Sequence, residues 1–208
     1  MLKILKNIDK SKFNIYVVLP CVGPLVDEIK KIPHVKIKIF DIAVLRRKNL
    51  SLRGGLEYCK SFCKSYSALV RIIRKYKIDI VETNTAVVFP GAVAAKACHI
   101  KSVWHIREII NNKIENYFVS FMMNLFSDRI IANSKSTGAA LKVKNSKISV
   151  VYNAVEEKED VTSIEHSYLT VGMAGRINRW KGQTLFVDAA EIVHKRLPDV
   201  VFLIAGDA

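Results

Sequence analysis

The chain has 208 residues, of which 50% are hydrophobic and 25% are charged, and this composition excludes wholesale disorder, a collagen-like repeat and a small disulfide-stapled scaffold. No uncharged apolar run approaches the roughly 20 residues of a membrane-spanning helix, and the N-terminal residues show no secretory signal pattern. The 33 Lys and Arg against 19 Asp and Glu give a net charge of +14, which favours an anionic partner: nucleic acid, a phosphorylated ligand or an anionic membrane surface.

Short apolar runs alternate with amphipathic segments along most of the chain, which predicts alternating strands and helices. The predicted strands cover residues 14–20, 35–40, 78–84, 101–106, 128–134, 147–153, 168–175 and 199–206. The predicted helices cover residues 24–32, 55–77, 89–98, 108–126, 135–143 and 182–197. Because most of these strands are apolar on both faces, the pattern indicates an α/β fold with a parallel, doubly wound, Rossmann-like sheet. Ligand sites in such sheets lie at the carboxyl ends of the strands.

Two long predicted helices carry apolar stripes at helical spacing, which we expect to face the core. The stripe of helix 55–77 consists of Cys59, Phe62, Cys63, Tyr66, Leu69, Val70 and Ile73. The stripe of helix 108–126 consists of Ile110, Ile114, Tyr117, Phe118, Phe121 and Leu125. The four cysteines, Cys21, Cys59, Cys63 and Cys98, lack the spacing of a zinc site, so we interpret them as buried free thiols in a reducing compartment.

A change in composition divides the chain into three parts. Residues 154–167 hold five acidic residues and one Lys, and they predict an exposed linker. Residues 1–153 before it form a Rossmann-like domain. Residues 168–208 after it form one strand–helix–strand unit, which is too short to enclose a core alone and corresponds to the start of a second Rossmann-like domain.

The first candidate site follows the strand at 168–175. Gly175 allows a ligand to approach the backbone closely, and Gly182 opens a helix whose free N–H groups favour anions. Arg176 supplies a planar guanidinium and Lys181 a point charge, a suitable pair for a diphosphate. The alternative is a glycine turn with two solvated cations, because the string matches neither the P-loop nor the GxGxxG pattern.

The second candidate site lies at the end of strand 101–106. His105 falls where ligand sites form, and an imidazole there can act as an acid, a base or a hydrogen-bond donor to phosphate. The alternative is a histidine that is satisfied by backbone groups in a strand-to-helix turn.

The string VGMAGRINRWKGQTLFVDAA, followed by LPDVVFLIAGDA, resembles the start of the nucleotide-sugar-binding domain of the retaining glycosyltransferases of family 4. These enzymes have the GT-B fold, two facing Rossmann-like domains. Earlier strings fit the same family in order, namely NIDKSKFNIYVVLP, IDIVETNTA, VWHIREI, DRIIANSKST and ISVVYNAV. The resemblance covers essentially the whole chain, and the GR…KG string is its most specific part.

The resemblance implies transfer of a sugar from a nucleotide diphosphate sugar to a glycan or lipid-linked acceptor, with retention, in cell-surface polysaccharide or glycolipid synthesis. Arg176 and Lys181, with Gly175 and Gly182, match the residues that bind the donor diphosphate, and His105 matches the histidine near the reacting sugar. By the same alignment Asn84, Asn133 and Ser134 lie on loops that bind substrate. No cofactor and no metal are implied, because fixed cations stabilise the leaving diphosphate.

The chain also departs from the family pattern. The family begins with a central strand and a glycine-rich loop, and its second domain carries two glutamates seven residues apart; neither feature has a counterpart in these 208 residues. We therefore expect the sequence to be part of a longer enzyme and to be poorly stable and inactive alone. Without the central strand, the strands near 14–19 and 78–83 would lack their shared neighbour.

Two other functions remain open: a catalytically inactive fragment, and a basic module that binds nucleic acid. Residues 44–77 hold ten Lys and Arg with interleaved aromatics, but no nucleic-acid-binding motif is present, so we expect no nucleic-acid partner. We expect a cytoplasmic protein, associated with an anionic membrane surface through exposed cations that include Arg46, Arg47, Lys48, Lys60, Lys64, Arg71 and Arg74. The alternative for these cations is a solvated helix face.

Overall fold

The computed structural model describes residues 1–46, 49, 51–154 and 168–207. The chain divides into two compact units, Met1–Ala154 and Val155–Ala208. The predicted linker at 154–167 therefore lies outside the described residues except for Ala154, as do Arg47 and Lys48.

From residue 14 onward the order of strands and helices is the one that the sequence predicts; helix α1, which precedes the first strand, is an addition to the predicted helices. The helices are α1 (Leu2–Asn7), α2 (Pro24–Lys30), α3 (Leu52–Tyr76), α4 (Pro90–Ala97), α5 (Lys113–Phe126), α6 (Lys135–Ala140) and α7 (Gln183–His194). The strands are β1 (Ile15–Leu19), β2 (Val35–Ile39), β3 (Ile80–Thr83), β4 (Lys101–Ile106), β5 (Arg129–Ala132), β6 (Ile148–Val150), β7 (Thr170–Ala174) and β8 (Val201–Ala205). No helix among the described residues has the length and hydropathy to cross a bilayer.

All strand pairs are parallel, which confirms the predicted α/β fold class. The first unit contains a two-stranded sheet, β1–β2, and a four-stranded sheet in the order β3–β4–β5–β6. Within the described residues, β1 pairs only with β2, and β3 only with β4, so one edge of each of these strands has no strand partner. In the second unit β7 pairs directly with β8, and helix α7 connects the two strands along the chain.

Three apolar clusters form the core of the first unit. The largest lies between β4 and helices α4 and α5 and includes Phe89, Trp104 and Met123. A second joins Leu69 and Ile73 of α3 with Ala94 of α4, and Val18 of β1 and Val81 of β3 pack against this cluster, so it contacts strands of both sheets. The third covers the other face of β1 and is built on Leu5, Val17, Ile29, Ile32 and Val35.

The predicted core face of α5 is wrong. Ile114, Tyr117 and Phe121 are 81%, 71% and 54% exposed, and the helix buries Asn116, Val119, Ser120 and Met123 instead. The reason is a set of polar contacts that apolar spacing does not reveal. Asn116 Nδ2 donates to the Ala140 and Ile110 carbonyls, the Lys142 backbone N–H donates to Ser120 Oγ, and Asn124 Nδ2 donates to the Lys142 carbonyl.

The start of α5 also differs from the prediction. The helix begins at Lys113, five residues later than the predicted start at 108. Asn112 caps it, since its side-chain oxygen accepts from the backbone N–H groups of Ile114 and Glu115, both at 3.0 Å.

The interpretation of the cysteines as buried is wrong as well. Cys21, Cys59 and Cys63 are exposed and Cys98 is half-buried. In α3 the buried face runs through Ser65, Leu69 and Ile73, because Ser65 Oγ accepts from the Ala43 amide at 2.9 Å and donates to the Ser61 carbonyl at 2.8 Å. This anchoring rotates Cys59 and Cys63 away from the core.

Candidate functional site

His105 lies one residue before the carboxyl end of β4. Its neighbours Trp104 and Ile106 are fully buried in the cluster beneath α4 and α5. Because side chains alternate along a strand, His105 points to the opposite face of the sheet. The residue is 7% exposed, so the imidazole is largely withdrawn from water.

A carboxylate from the neighbouring strand reaches the imidazole. Glu82 of β3 lies opposite Val103, which places Glu82 and His105 on the same face. Glu82 Oε1 is 3.4 Å from His105 Nδ1, a long hydrogen bond. Glu82 is not among the residues predicted from the sequence; the signal available was an acidic residue next to Val81 within the predicted strand 78–84, which also contains Asp79. With Nδ1 directed at Glu82, the Nε2 atom is left for another partner.

A second glutamate joins the loops that follow β3 and β4. Glu108 Oε1 accepts from the Ala86 amide at 2.9 Å and from Thr85 Oγ1 at 3.2 Å. Trp104 Nε1 donates to the Thr85 carbonyl at 2.6 Å. These contacts fix the loop of Asn84, whose side chain is half-buried, beside the end of β4.

Asn133 and Ser134 follow β5 at the same edge and already have partners within the protein. Asn133 Nδ2 donates to the Arg107 carbonyl at 3.3 Å, and Asn133 Oδ1 accepts from Thr137 Oγ1 at 2.8 Å. Ser134 Oγ accepts from the Thr137 amide at 3.0 Å and so caps α6. The structure therefore gives both residues local structural contacts, and their predicted contact with substrate stays a prediction.

A polar recess of about 330 Å³ lies beyond the end of β2. Its lining includes Asp41, Arg46, Glu57, Tyr58 and Ser61. The Leu45 amide donates to the Val87 carbonyl at 3.0 Å, which joins this segment to the loop that follows β3. Burial raises the pKa of Tyr58 to about 12, and its hydroxyl has no hydrogen-bond partner among the described residues.

In the second unit, the loop after β7 carries the predicted anion site. The Gln183 side chain donates to the Arg176 carbonyl at 2.9 Å and so attaches this loop to the first turn of α7. Gly182 precedes the helix with φ of +80°, a left-handed conformation that suits glycine. A Cβ built on Gly175 would lie 3.9 Å from Lys181 Cδ, so the lysine stem lies along the glycine.

The cations of this loop are exposed. Within the described residues, no carboxylate lies within 4 Å of Arg176 or Lys181. Arg176 and Lys181, exposed and beside the first N–H groups of an α-helix of 12 residues, are suited to binding a diphosphate.

Gly206, which sequence analysis did not select, holds the loop in place. The Gly175 amide donates to the Ala205 carbonyl at 2.9 Å, and the Ile177 amide donates to the Asp207 carbonyl at 2.7 Å. A Cβ on Gly206 would lie 1.9 Å from the Gly175 carbonyl oxygen. The chain segments that follow β7 and β8 therefore meet backbone to backbone, which only glycine permits.

Comparisons with known proteins identify the family and the fold of the chain. The family model described as Glycosyltransferase Family 4 matches residues 2–159. No curated protein matches the chain. Among the described residues, no group of three or more His, Cys, Asp or Glu side chains is arranged to hold a metal ion.

Several solved structures share the fold. Anabaena HepE, in complex with UDP and glucose, is 19% identical with a TM-score of 0.68, and the match covers 93% of this chain and 53% of HepE. Arabidopsis thaliana UGT89C1, complexed with UDP-L-rhamnose, is 14% identical with a TM-score of 0.60, over 98% of this chain and 63% of UGT89C1. Acinetobacter baumannii MurG is 13% identical with a TM-score of 0.55, over 99% of this chain and 62% of MurG. This chain thus spans about half to two thirds of the length of these proteins.

Proposed function

Because the chain belongs to Glycosyltransferase Family 4, we propose that it forms part of an enzyme that transfers a sugar from a nucleotide diphosphate sugar to a glycan or lipid-linked acceptor. The proposed reaction retains the anomeric configuration. The proposed setting is the synthesis of a cell-surface polysaccharide or glycolipid, on the cytoplasmic face of a membrane.

The observation that carries this proposal is that two exposed cations, Arg176 and Lys181, lie in the loop that leads into α7 and have no carboxylate within 4 Å among the described residues. In sugar transfer the nucleoside diphosphate leaves with developing negative charge, and groups already fixed at that position stabilise the transition state most. Gln183 and the close approach at Gly206 fix the loop before the ligand arrives, so little reorganisation is needed on binding.

His105 is the proposed group nearest the transferred sugar. Glu82 accepts from Nδ1, and Nε2 would then accept a hydrogen bond from a sugar hydroxyl. In this role Glu82 is a positioning residue, because it acts through the imidazole. Asn84 lies on the loop beside the end of β4, and we propose that it also contacts the substrate because of this position.

The polar recess beyond β2 is suited to the hydroxyl groups of an acceptor. Carboxylates such as Asp41 and Glu57 accept hydrogen bonds from sugar hydroxyls, and Ser61 can both donate and accept.

Donor binding tests the proposal directly. Isothermal titration with UDP, ADP, GDP and inorganic phosphate should show saturable binding of at least one nucleoside diphosphate. Arg176→Ala or Lys181→Ala should weaken that binding by about tenfold or more, since each loses a charge-assisted contact. Arg196→Ala is the matched control, because this exposed arginine lies beyond the far end of α7. Binding that is unchanged in both loop variants would overturn the assignment.

Measurements of turnover test the proposed reaction, its stereochemistry and its independence of a metal ion. The enzyme should release nucleoside diphosphate from its donor and form an α-linked product from an α-linked donor, as proton NMR of the anomeric signal would show. Activity should persist in a chelator, because the proposed charge neutralisation uses Arg176, Lys181 and a helix N-terminus. If a chelator abolished activity and magnesium restored it, the proposed independence of metal would be wrong. Inversion at the anomeric carbon would contradict the proposed retention.

A further inference from the structure

The outer face of α5 is an apolar stripe exposed to solvent. Ile114, Tyr117, Phe121 and Leu125 follow one another at spacings of three and four residues, and they are 81%, 71%, 54% and 50% exposed. At 1.5 Å per residue the stripe is about 16 Å long. Phe118 beside it is 44% exposed and packs edge-to-face on Phe89, with ring centroids 5.7 Å apart. We call these five residues the α5 stripe.

The rotation of α5 that exposes this stripe is set by specific contacts. Asn116, Ser120 and Asn124 bond to the last residue of α6 and to the segment after it, through backbone groups of residues 140–144. If the helix turned to bury the stripe, these polar groups would lose their partners, at a cost comparable to that of the apolar exposure. The exposed stripe is therefore a stable property of the first unit.

The surroundings of the stripe are basic. Lys113 lies in the first turn of α5, and the contacts just described hold Lys142 and Lys144 beside the helix; all three are exposed. A recess of about 510 Å³ lies at the start of the helix, and its lining includes Tyr117, Lys113 and Lys142. The acidic groups nearby are Glu115 on α5 and Asp128, which is paired with Lys101 at 3.0 Å.

We propose that the α5 stripe is the surface by which this protein docks on an anionic lipid bilayer. Aromatic and aliphatic side chains with flanking lysines are the composition of a helix that lies in the membrane interface, where tyrosine suits the headgroup level. The cations add attraction to anionic lipids. Self-association through the same face is disfavoured, because a two-fold contact would bring the lysines of both copies together.

This inference rests on the membrane location given under Proposed function and names the surface that provides it. Helix α5 begins just after the loop that follows His105, so its first turns lie at the carboxyl edge of the sheet. Docking through the stripe would therefore bring a lipid-linked acceptor to the edge of the sheet that holds His105.

Vesicle co-sedimentation tests this docking without donor or acceptor. The chain should bind vesicles of phosphatidylcholine with phosphatidylglycerol, and bind vesicles of phosphatidylcholine alone much more weakly. The double variant Tyr117→Ser and Phe121→Ser, and separately Lys142→Glu with Lys144→Glu, should each lower the bound fraction by about tenfold. Leu56→Ser is the matched control, because Leu56 of α3 is an apolar residue that is 66% exposed.

Three results would overturn the proposal: binding that is unchanged in the α5 variants, binding that is indifferent to anionic lipid, or an equal loss in the Leu56→Ser control. A dimer in light scattering that Phe121→Ser converts to monomer would also overturn it, in favour of self-association. Circular dichroism of each variant confirms that the fold is retained, as expected for exposed side chains. Nucleotide binding is measured separately, so failure of the proposed function and failure of membrane docking are distinguishable.

Discussion

Glu82 Oε1 lies 3.4 Å from His105 Nδ1, and the two side chains come from adjacent parallel strands. The histidine is buried while the glutamate side chain is 43% exposed. A carboxylate at Nδ1 selects the tautomer in which Nδ1 carries the proton and Nε2 is a free acceptor. This geometry is consistent with the role proposed above, in which Glu82 orients the imidazole of His105.

Glu82→Ala should therefore change the state of His105 without removing it. In ¹⁵N NMR of the histidine rings, the native protein should show His105 protonated at Nδ1, and the variant should show a mixture of tautomers. Turnover of the enzyme should fall by about tenfold or more, because the ring loses its fixed orientation. Glu82→Gln, which keeps a hydrogen-bond acceptor, should retain more turnover than Glu82→Ala.

Two comparisons make that result specific. The signals of exposed His99 should not move in any Glu82 variant. His105→Ala should lower turnover further than Glu82→Ala, since it removes the group itself. An unchanged His105 tautomer in Glu82→Ala would show that the contact does not orient the ring.

Loss of one loop cation should affect the transition state more than the fold. Arg176→Ala or Lys181→Ala should raise the barrier to transfer by about 2–4 kcal/mol, the usual range for one fixed charge-stabilising contact. Both side chains are exposed, so the thermal midpoints should match that of the native protein. The measurement is kcat/KM with the cognate donor, and native-like values in both variants would remove the loop from the mechanism.

The element order and the positions of the candidate residues could be predicted from sequence for a physical reason. Alternating strands and helices force parallel pairing, and parallel pairing places His105, Asn84 and Asn133 at one edge of the sheet. This much needs only local pattern. Glu82 could not be selected in the same way, because its role depends on the register between β3 and β4.

The orientation of the helices was less predictable. The sequence of α5 has apolar residues on almost every side, so spacing alone favours the stripe with the largest side chains. The actual orientation is decided by Asn116 and Ser120, which bond to a segment about twenty residues later in the chain. In α3 the buried Ser65 has the same effect on Cys59 and Cys63. Polar side chains that bond over such distances leave no periodic signal.

Asp128 gives a pH-dependent contribution to stability. Its carboxylate accepts from the Ser102 amide at 3.0 Å and from Lys101 Nζ at 3.0 Å. The hydrogen bond from the Ser102 amide, followed by that from Lys101, lowers the pKa of Asp128 below its usual value. A carboxyl whose pKa is lower in the folded state stabilises the fold above its unfolded pKa of about 4, and this stabilisation is lost as the pH falls through the folded value.

Asp128→Ala should accordingly destabilise the first unit by about 1 kcal/mol at pH 7, an amount limited by solvent screening of the partly exposed ion pair. The difference in the free energy of unfolding between the variant and the native protein should become smaller below about pH 4. Urea unfolding at several pH values measures this. Asp27→Ala is the comparison, because its pair with Lys30 is exposed on both sides and involves neighbouring turns of one helix; that variant should stay within about 0.5 kcal/mol of native. If the destabilisation by Asp128→Ala were the same at every pH, the proposed pH-dependent contribution of Asp128 would be wrong.

Gly206→Ala should disturb both the stability of the second unit and its anion site. The new methyl group would lie 1.9 Å from the Gly175 carbonyl oxygen, so one of two backbone segments has to move, at a cost on the order of 1–3 kcal/mol. Movement of either segment alters the contact that holds the loop of Arg176, so nucleotide affinity should fall together with the thermal midpoint. Gly172→Ala is the matched control from the adjacent strand β7, since a Cβ there meets no atom within 4 Å; this variant should bind nucleotide and melt like the native protein. If Gly206→Ala also behaved like the native protein, the close approach after β7 and β8 would not be what holds the cationic loop.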